Sequence, residues 1–169
     1  ASFMPKPFAH LTGNGCHAHV SLWRGTTNVF GDAGGELGLS PLAYHFLGGI
    51  LKHAEGFVAL TNPTVNSYKR INAPATRSGA TWSPNTISYT GNNRTHMVRI
   101  PDAGRFEVRL ADGAANPYLL QAALLAISQT LLSCEIKLNP VPKFPNYVEV
   151  SVDGVAYGKS QVPKPGRLL

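Results

Sequence analysis

The sequence predicts an α+β fold, an antiparallel sheet with one polar, site-forming face and with helices packed on its apolar face. Three observations carry that expectation. Residues 16–23 and 105–110 alternate apolar and polar side chains with a period of two, the mark of half-buried strands. Ser40–Pro41 and Asn116–Pro117 each place a capping residue before a proline at the first helical position. The 169 residues, with 17 glycines and 13 prolines, make one turn-rich chain large enough for a real core.

Taken in order, Gly13-Asn14-Gly15 is a tight entry into the first strand. There Cys16, Ala18, Val20 and Leu22 form an apolar face, and His17, His19, Ser21 and Trp23 point the other way. A helix follows from Pro41 to about residue 60, with Tyr44, Leu47, Leu51 and Val58 on one stripe. Residues 71–93 are rich in Ser, Thr, Asn, Gly and Pro and read as a long loop. Residues 95–100 form a further strand with poorer alternation, closed by Pro101. In the strand at 105–110, Phe106, Val108 and Leu110 face the core while Arg105, Glu107 and Arg109 line the opposite face. The second helix runs from Tyr118 to about residue 133, apolar nearly all round, and is expected to be buried. Residues 136–169 are a Pro-rich divergent tail, expected to hold at most one hairpin around Asp153–Gly154.

Composition narrows the function. Charged residues are 14% of the chain, against roughly 25% in an average soluble protein, while the 43% apolar content excludes disorder driven by charge. Cys16 and Cys134 are too few for a disulfide scaffold or a thiolate zinc site and suggest a reducing, cytoplasmic setting. No uninterrupted apolar run reaches the ~18 residues of a membrane span, so no membrane partner is expected. The net charge of +6 is concentrated: six of the eight arginines lie between Arg70 and Arg109, and no acid occurs between Glu55 and Asp102. Arginine favours planar anions such as carboxylates and phosphates. Arginines alternating with an acid and apolar residues on a strand suit a small polyanion better than a nucleic-acid backbone, so no nucleic-acid partner is expected.

Two motifs bear on chemistry. His17-x-His19 puts two imidazoles on one strand face, which is part of a metal site or simply a polar surface. Arg105-x-Glu107-x-Arg109 is either a salt-bridge ladder or an acid held ionised beside phosphates. The run from Gly154 to Ser160 is one residue short of a phosphate loop and Gln161-Val162-Pro163 follows instead of a helix, so it is rejected.

Four ordered blocks together resemble the catalytic domain of glutamine synthetase over about residues 1–135. They are Lys6-Pro7-Phe8 with Thr12-Gly13-Asn14-Gly15-Cys16-His17 and Ser21; Asn62-Pro63-Thr64-Val65-Asn66-Ser67-Tyr68-Lys69-Arg70; Asn93-Arg94 with Arg99-Ile100-Pro101; and Arg105-Phe106-Glu107-Val108-Arg109 leading into Asn116-Pro117-Tyr118. The resemblance implies an ATP-dependent ligase that makes a γ-glutamyl amide, glutamine from glutamate and ammonia, through a γ-glutamyl phosphate. It implies Mg²⁺ or Mn²⁺ held by His17 and Glu107, ATP phosphates met by His19 and Arg105, and a weaker nucleotide contact at Ser21. Arg70 matches the clamp on the glutamate α-carboxylate and Gly13 a backbone contact to glutamate. Arg94 and Arg109 match substrate-binding and catalytic groups around the γ-carboxylate and the transferring phosphoryl. Self-association into a ring-like homo-oligomer is implied as well.

Two departures shape the expectation. The family's other metal-binding carboxylates and its small N-terminal domain lie upstream of the Lys-Pro motif, so the chain is expected to be a fragment, inactive alone. The family also carries a Pro-Gly-Tyr-Glu-Ala-Pro flap soon after the arginine matching Arg70. Here residues 71–84 hold no acid, which resembles ligases that take a small alkylamine, with Trp82 or Tyr89 as apolar contacts for the alkyl group and Arg77 repelling a cation. The other alternative is a non-catalytic remnant that keeps nucleotide or subunit contacts.

Overall fold

A short central sheet positions everything else. The computed structural model describes residues 1–73, 82–129, 136–140, 147–152 and 155–161. Strands β1 (Ala18–Val20), β4 (Tyr89–Thr90), β5 (Val98–Arg99) and β6 (Phe106–Val108) form a sheet in the order β1-β6-β5-β4. Strand β6 is antiparallel to both its neighbours, with His19 opposite Glu107 on one side and Arg99 opposite Glu107 on the other. The expected all-antiparallel sheet is corrected at its edge, where β4 and β5 run parallel. The first predicted strand is also shorter than its alternation suggested. After Val20 the chain leaves the sheet, and Trp23–Arg24 (β2) pairs with Thr27–Asn28 (β3) as a separate hairpin. Leu22 is consequently exposed rather than on a core face.

Helices cover the apolar face. Ser40 caps α1 (Pro41–Lys52), its hydroxyl accepting from the Ala43 amide and donating to the Val29 carbonyl. The single helix expected to reach residue 60 is two. At His53 the backbone departs from helical geometry (φ −102°, ψ 8°), and α2 (Ala54–Thr61) restarts with Ala54, Phe57 and Thr61 turned inward. A third helix, α3 (Val65–Ile71), was not expected. It starts with a reciprocal cap in which the Thr64 hydroxyl accepts from the Ser67 amide and the Ser67 hydroxyl accepts from the Thr64 amide. Phe30, Phe46 and Phe106 stack between α1 and the sheet with ring centroids 5.0–6.0 Å apart, among Leu47, Ile50, Leu51, Val98 and Val108.

Helix α4 (Pro117–Gln129) is capped as expected, the Asn116 side chain accepting from the amides of Tyr118 and Leu119. Its burial is one-sided, which corrects the expectation of a fully covered helix: Leu120 and Leu124 enter the core, while Tyr118 is 81% exposed and Leu119 and Leu125 are exposed too. The tail exceeds the single hairpin expected of it. Strands β7 (Ile136–Pro140), β8 (Tyr147–Val152) and β9 (Val155–Gln161) form an antiparallel sheet in that order. The β8–β9 pairing closes between Val152 and Val155, the expected hairpin position, and β7 is the unexpected addition.

Candidate active site

Glu107 is the hub. It lies on β6, an inner strand flanked by β1 and β5. His17 Nδ1, just before β1, is 3.0 Å from Glu107 Oε1. Arg99 on β5 donates from Nη1 to Glu107 Oε2 at 2.6 Å, and Asn92 accepts from the Nε and Nη2 groups of the same guanidinium. Arg109 Nε is 3.5 Å from Glu107 Oε1, an ion pair without hydrogen-bond geometry. Burial alone would raise the Glu107 carboxyl, but the Arg99 hydrogen bond and charge, then His17 and Arg109, outweigh it and hold the group below the usual carboxylate range. Burial, reinforced by Arg109 and Arg70, holds the His17 imidazole below its ordinary value against the opposing pull of Glu107. The result is an ionised carboxylate beside a neutral imidazole, the protonation states a metal-binding pair requires.

The pair fits two positions of a Mg²⁺ or Mn²⁺ site. Neighbouring ligands at ~2.1 Å around an octahedral cation are ~3 Å apart, and the separation here is 3.0 Å. Among the described residues no group of three His, Cys, Asp or Glu could hold a metal ion, so His17 and Glu107 do not make a complete site among them.

Beside this hub opens a cleft of about 170 Å³ lined by Lys6, Gly13, Gly15, His17, Arg70 and Arg109, with Thr12, Trp82 and Ser83 completing the wall. Arg70, in the last turn of α3, donates from Nη1 to the Leu110 carbonyl at 3.0 Å and from Nη2 to the Arg109 carbonyl at 3.4 Å. Arg109 Nη1 donates to the carbonyls of Trp82 and Arg94. Burial lowers the pKa of both guanidiniums, yet arginine stays charged at neutral pH. Both glycines are required by close approach: a Cβ at Gly13 would lie 2.2 Å from the Pro5 carbonyl oxygen, and one at Gly15 2.6 Å from His17 Nε2.

Of the residues singled out from sequence, His17, Glu107, Arg70, Arg109 and Gly13 come together here. His19 and Arg105 lie farther along the same face, exposed, with Arg105 Nη1 3.4 Å from His19 Nδ1 and the Arg105 guanidinium ion-paired to Asp102. Ser21 is exposed and accepts from the Trp23 indole. Arg94 is exposed and does not line the cleft; its carbonyl accepts from Arg109 Nη1. Trp82 reaches the cleft, but Tyr89 does not. It is fully buried in the core against the apolar face, which removes it as an alkyl contact. Arg77 lies outside the described residues.

Sequence reasoning missed three supporting groups. Arg99 was read only as part of a motif, yet it is the strongest partner of Glu107. Lys6 lines the cleft. Asp112, fully buried, accepts from Asn62 Nδ2 at 2.9 Å, while the same amide group donates to the Leu110 carbonyl that Arg70 also uses.

The chain falls in a known class of ligases. The sequence matches the model of the glutamine synthetase catalytic domain over residues 1–143, and the chain belongs to that family, as its motifs implied. It is 66% identical over 128 residues to a glutamine synthetase of Rhizobium meliloti, covering 75% of this chain and 29% of that protein. It is 51% identical over 127 residues to a glutamate–methylamine ligase of Methyloversatilis universalis, covering 74% and 28%. In structure it resembles a GmaS/ADP complex with a TM-score of 0.70 and 70% identity, over 76% of this chain and 30% of that one. A ligand-free GmaS gives 0.68 and 65%, over 76% and 28%. The chain thus spans under a third of the relatives it matches.

Proposed function

We propose that the chain carries the phosphoryl-transfer face of an ATP-dependent ligase that joins the γ-carboxylate of glutamate to ammonia or a small amine. The observation that carries this reading is the convergence of Arg70, Arg109 and His17 on one cleft, with Glu107 paired to His17 beside it, in a member of this family. The reaction activates a carboxylate by attack on the γ-phosphorus of ATP, releasing ADP, after which an amine displaces phosphate from the acyl phosphate. Its difficulty is electrostatic, because two anions must meet and charge spreads over the transferring oxygens. A divalent cation held by His17 and Glu107 supplies positive charge to the nucleotide phosphates. Arg109, fixed by two backbone carbonyls, presents a rigid guanidinium to the reacting γ-carboxylate, with Arg94 beside it. Arg70 holds the α-carboxylate, Gly13 lets the substrate approach the backbone, and His19, Arg105 and Ser21 extend the face toward the nucleotide. Residues 1–135 form the partial catalytic domain and 136–169 the divergent tail. With two metal donors in place, the 169-residue chain alone does not turn over. In the cytoplasm the complete protein works as a ring-like homo-oligomer.

A second reading concerns the acceptor. The stretch from Gly56 to Pro101 contains no carboxylate to capture and deprotonate ammonium, and Trp82 offers an apolar surface at the cleft. A relative named for methylamine fits the same preference. Comparing kcat/KM for ammonia and methylamine with the complete protein, as its own cell makes it, tests both readings. Amide formation from either amine supports the ligase, and a clear preference for ammonia removes the alkylamine reading. Absence of amide product with every amine leaves the non-catalytic remnant.

A further inference from the structure

The cleft holds two buried cations that make no ion pair among the described residues. Lys6 is 6% exposed and Arg70 is 4% exposed. The Lys6 ammonium donates to the Leu11 carbonyl, and Arg70 donates to the carbonyls of Leu110 and Arg109. Among the described residues neither has a carboxylate within ion-pair distance; Asp112 acts on Arg70 only through its field. Taking a charge out of water is costly unless an opposite charge or full hydrogen bonding compensates. Neutral carbonyls fix these two groups in place and leave their charge for a ligand.

The two cations are also held as a pair. Asn66 accepts from the Lys6 amide at 2.6 Å and donates to the Lys6 carbonyl at 3.0 Å, gripping the backbone on both sides. Asn66 and Arg70 are four residues apart on α3, hence on one helix face. Gly13 lies between the carbonyl of Pro5, the residue before Lys6, and Arg70, its ideal Cβ position 2.2 Å from the former oxygen and 3.2 Å from Arg70 Cγ. Gly15 in turn separates Arg70 Nη2 from His17 Nε2, at 3.1 and 2.6 Å from its ideal Cβ position. Lys6, Arg70, His17 and Arg109 thus line one cleft, and Glu107 pairs with His17 beside it.

We infer that Lys6 is a second carboxylate-binding residue of this site, acting with Arg70 on the amino-acid substrate, and that Asn66 is its positioning residue. The inference rests on the ligase reading above and adds a specificity determinant to it. A ligand with two carboxylates spans the cleft, one at the Lys6–Arg70 end and one at the Arg109–His17 end. A monocarboxylate satisfies only half of the charge.

The test is calorimetric titration of the complete protein, separately with glutamate and with ADP plus Mg²⁺. Variants are Lys6→Met, Lys6→Arg, Asn66→Ala and Arg70→Gln, with the exposed Lys69→Met as a charge control. Losing a charged hydrogen bond weakens glutamate by about ten- to a hundredfold in Lys6→Met, with ADP within twofold. Lys6→Arg recovers much of the loss, Asn66→Ala loses a smaller part, and Lys69→Met is silent. Glutamate affinity unchanged in Lys6→Met, or ADP weakened as much as glutamate, overturns the inference and in the latter case assigns Lys6 to phosphate. If Lys6→Met does not fold, Lys6→Arg and Asn66→Ala decide alone, and wild-type glutamate affinity in both overturns it. Glutamate binding that survives Arg70→Gln overturns the ligase reading itself, whereas sensitivity to Arg70→Gln with none to Lys6→Met overturns this inference only.

Discussion

Arg99 and Glu107 stand directly opposite each other across β5 and β6, and the 2.6 Å contact between Arg99 Nη1 and Glu107 Oε2 ties up one carboxylate oxygen. The other oxygen is left facing His17 and Arg109. The arrangement orients the carboxylate, since Asn92 fixes the far side of the same guanidinium.

Arg99→Met breaks this buried pair and leaves Glu107 with poorer partners. Urea denaturation is expected to show a loss of roughly 3 kcal/mol. Glu107→Leu is expected to cost more than Arg99→Met, because it leaves both Arg99 and the buried Arg109 without their carboxylate. A loss no greater in Glu107→Leu than in Arg99→Met argues that the carboxylate does not hold these groups together.

The pH response of the metal-free protein follows from lowered pKa values at His17, Glu107 and His96, the last lowered by burial. His17 sits below its ordinary 6.5 in the folded state. The unfolded chain therefore takes up that proton first, and stability declines as pH drops below about 6.5. Glu107, lowered from 4.5, contributes stability above that value and loses it as pH falls through its folded pKa. Both act in the same direction. Melting curves across acid pH are expected to fall in both ranges, and His17→Gln reduces the upper fall to the share that His96 supplies. An unchanged upper range in His17→Gln contradicts the assignment.

Gly13→Ala and Gly15→Ala separate backbone from side-chain crowding. At Gly13 the added methyl meets a carbonyl oxygen at 2.2 Å, so the Pro5–Lys6 strap must move, at a cost of about 1–3 kcal/mol. At Gly15 it meets the His17 ring at 2.6 Å, a side chain that can swing away. Gly15→Ala is expected to melt close to wild type yet bind Mn²⁺ more weakly in titration. Equal melting losses in both variants contradict this division.

The parts of the site legible in sequence were those written in a strand's period of two. His17, Glu107 and Arg109 could be placed on one face because alternation survives around each of them. Arg99 escaped because β5 is only two residues long, too short for a pattern. Helix α3 escaped for a related reason: its cap uses Ser67 where a Glu or Gln is the usual signal, and its seven residues carry no full stripe. Tyr89 was misplaced because it lies in a segment without periodicity, where only tertiary packing decides between core and cleft. The break at His53 has no proline to announce it. The exposed side of α4 is equally unreadable, since apolar composition cannot tell a helix wrapped by neighbours from one covered on a single face.

Asn62→Ala tests whether the buried Asp112 network supports Arg70. The substitution leaves Asp112 Oδ2 and one lone pair of the Leu110 carbonyl without a donor. A destabilisation of about 1–3 kcal/mol is expected, with glutamate affinity reduced because the Leu110 carbonyl that Arg70 uses is held by one donor fewer. Wild-type affinity in a destabilised variant argues that the network is structural alone.

The proposed reaction leaves an isotopic record. When a glutamate γ-carboxylate attacks ATP and an amine later displaces phosphate, one carboxylate oxygen departs on the phosphate. The complete protein, given glutamate labelled with ¹⁸O in both γ-carboxylate positions, ATP and ammonia or methylamine, is expected to release phosphate carrying one ¹⁸O atom per turnover. Phosphate without label, formed alongside amide product or ATP hydrolysis, contradicts an acyl-phosphate ligase built on this cleft.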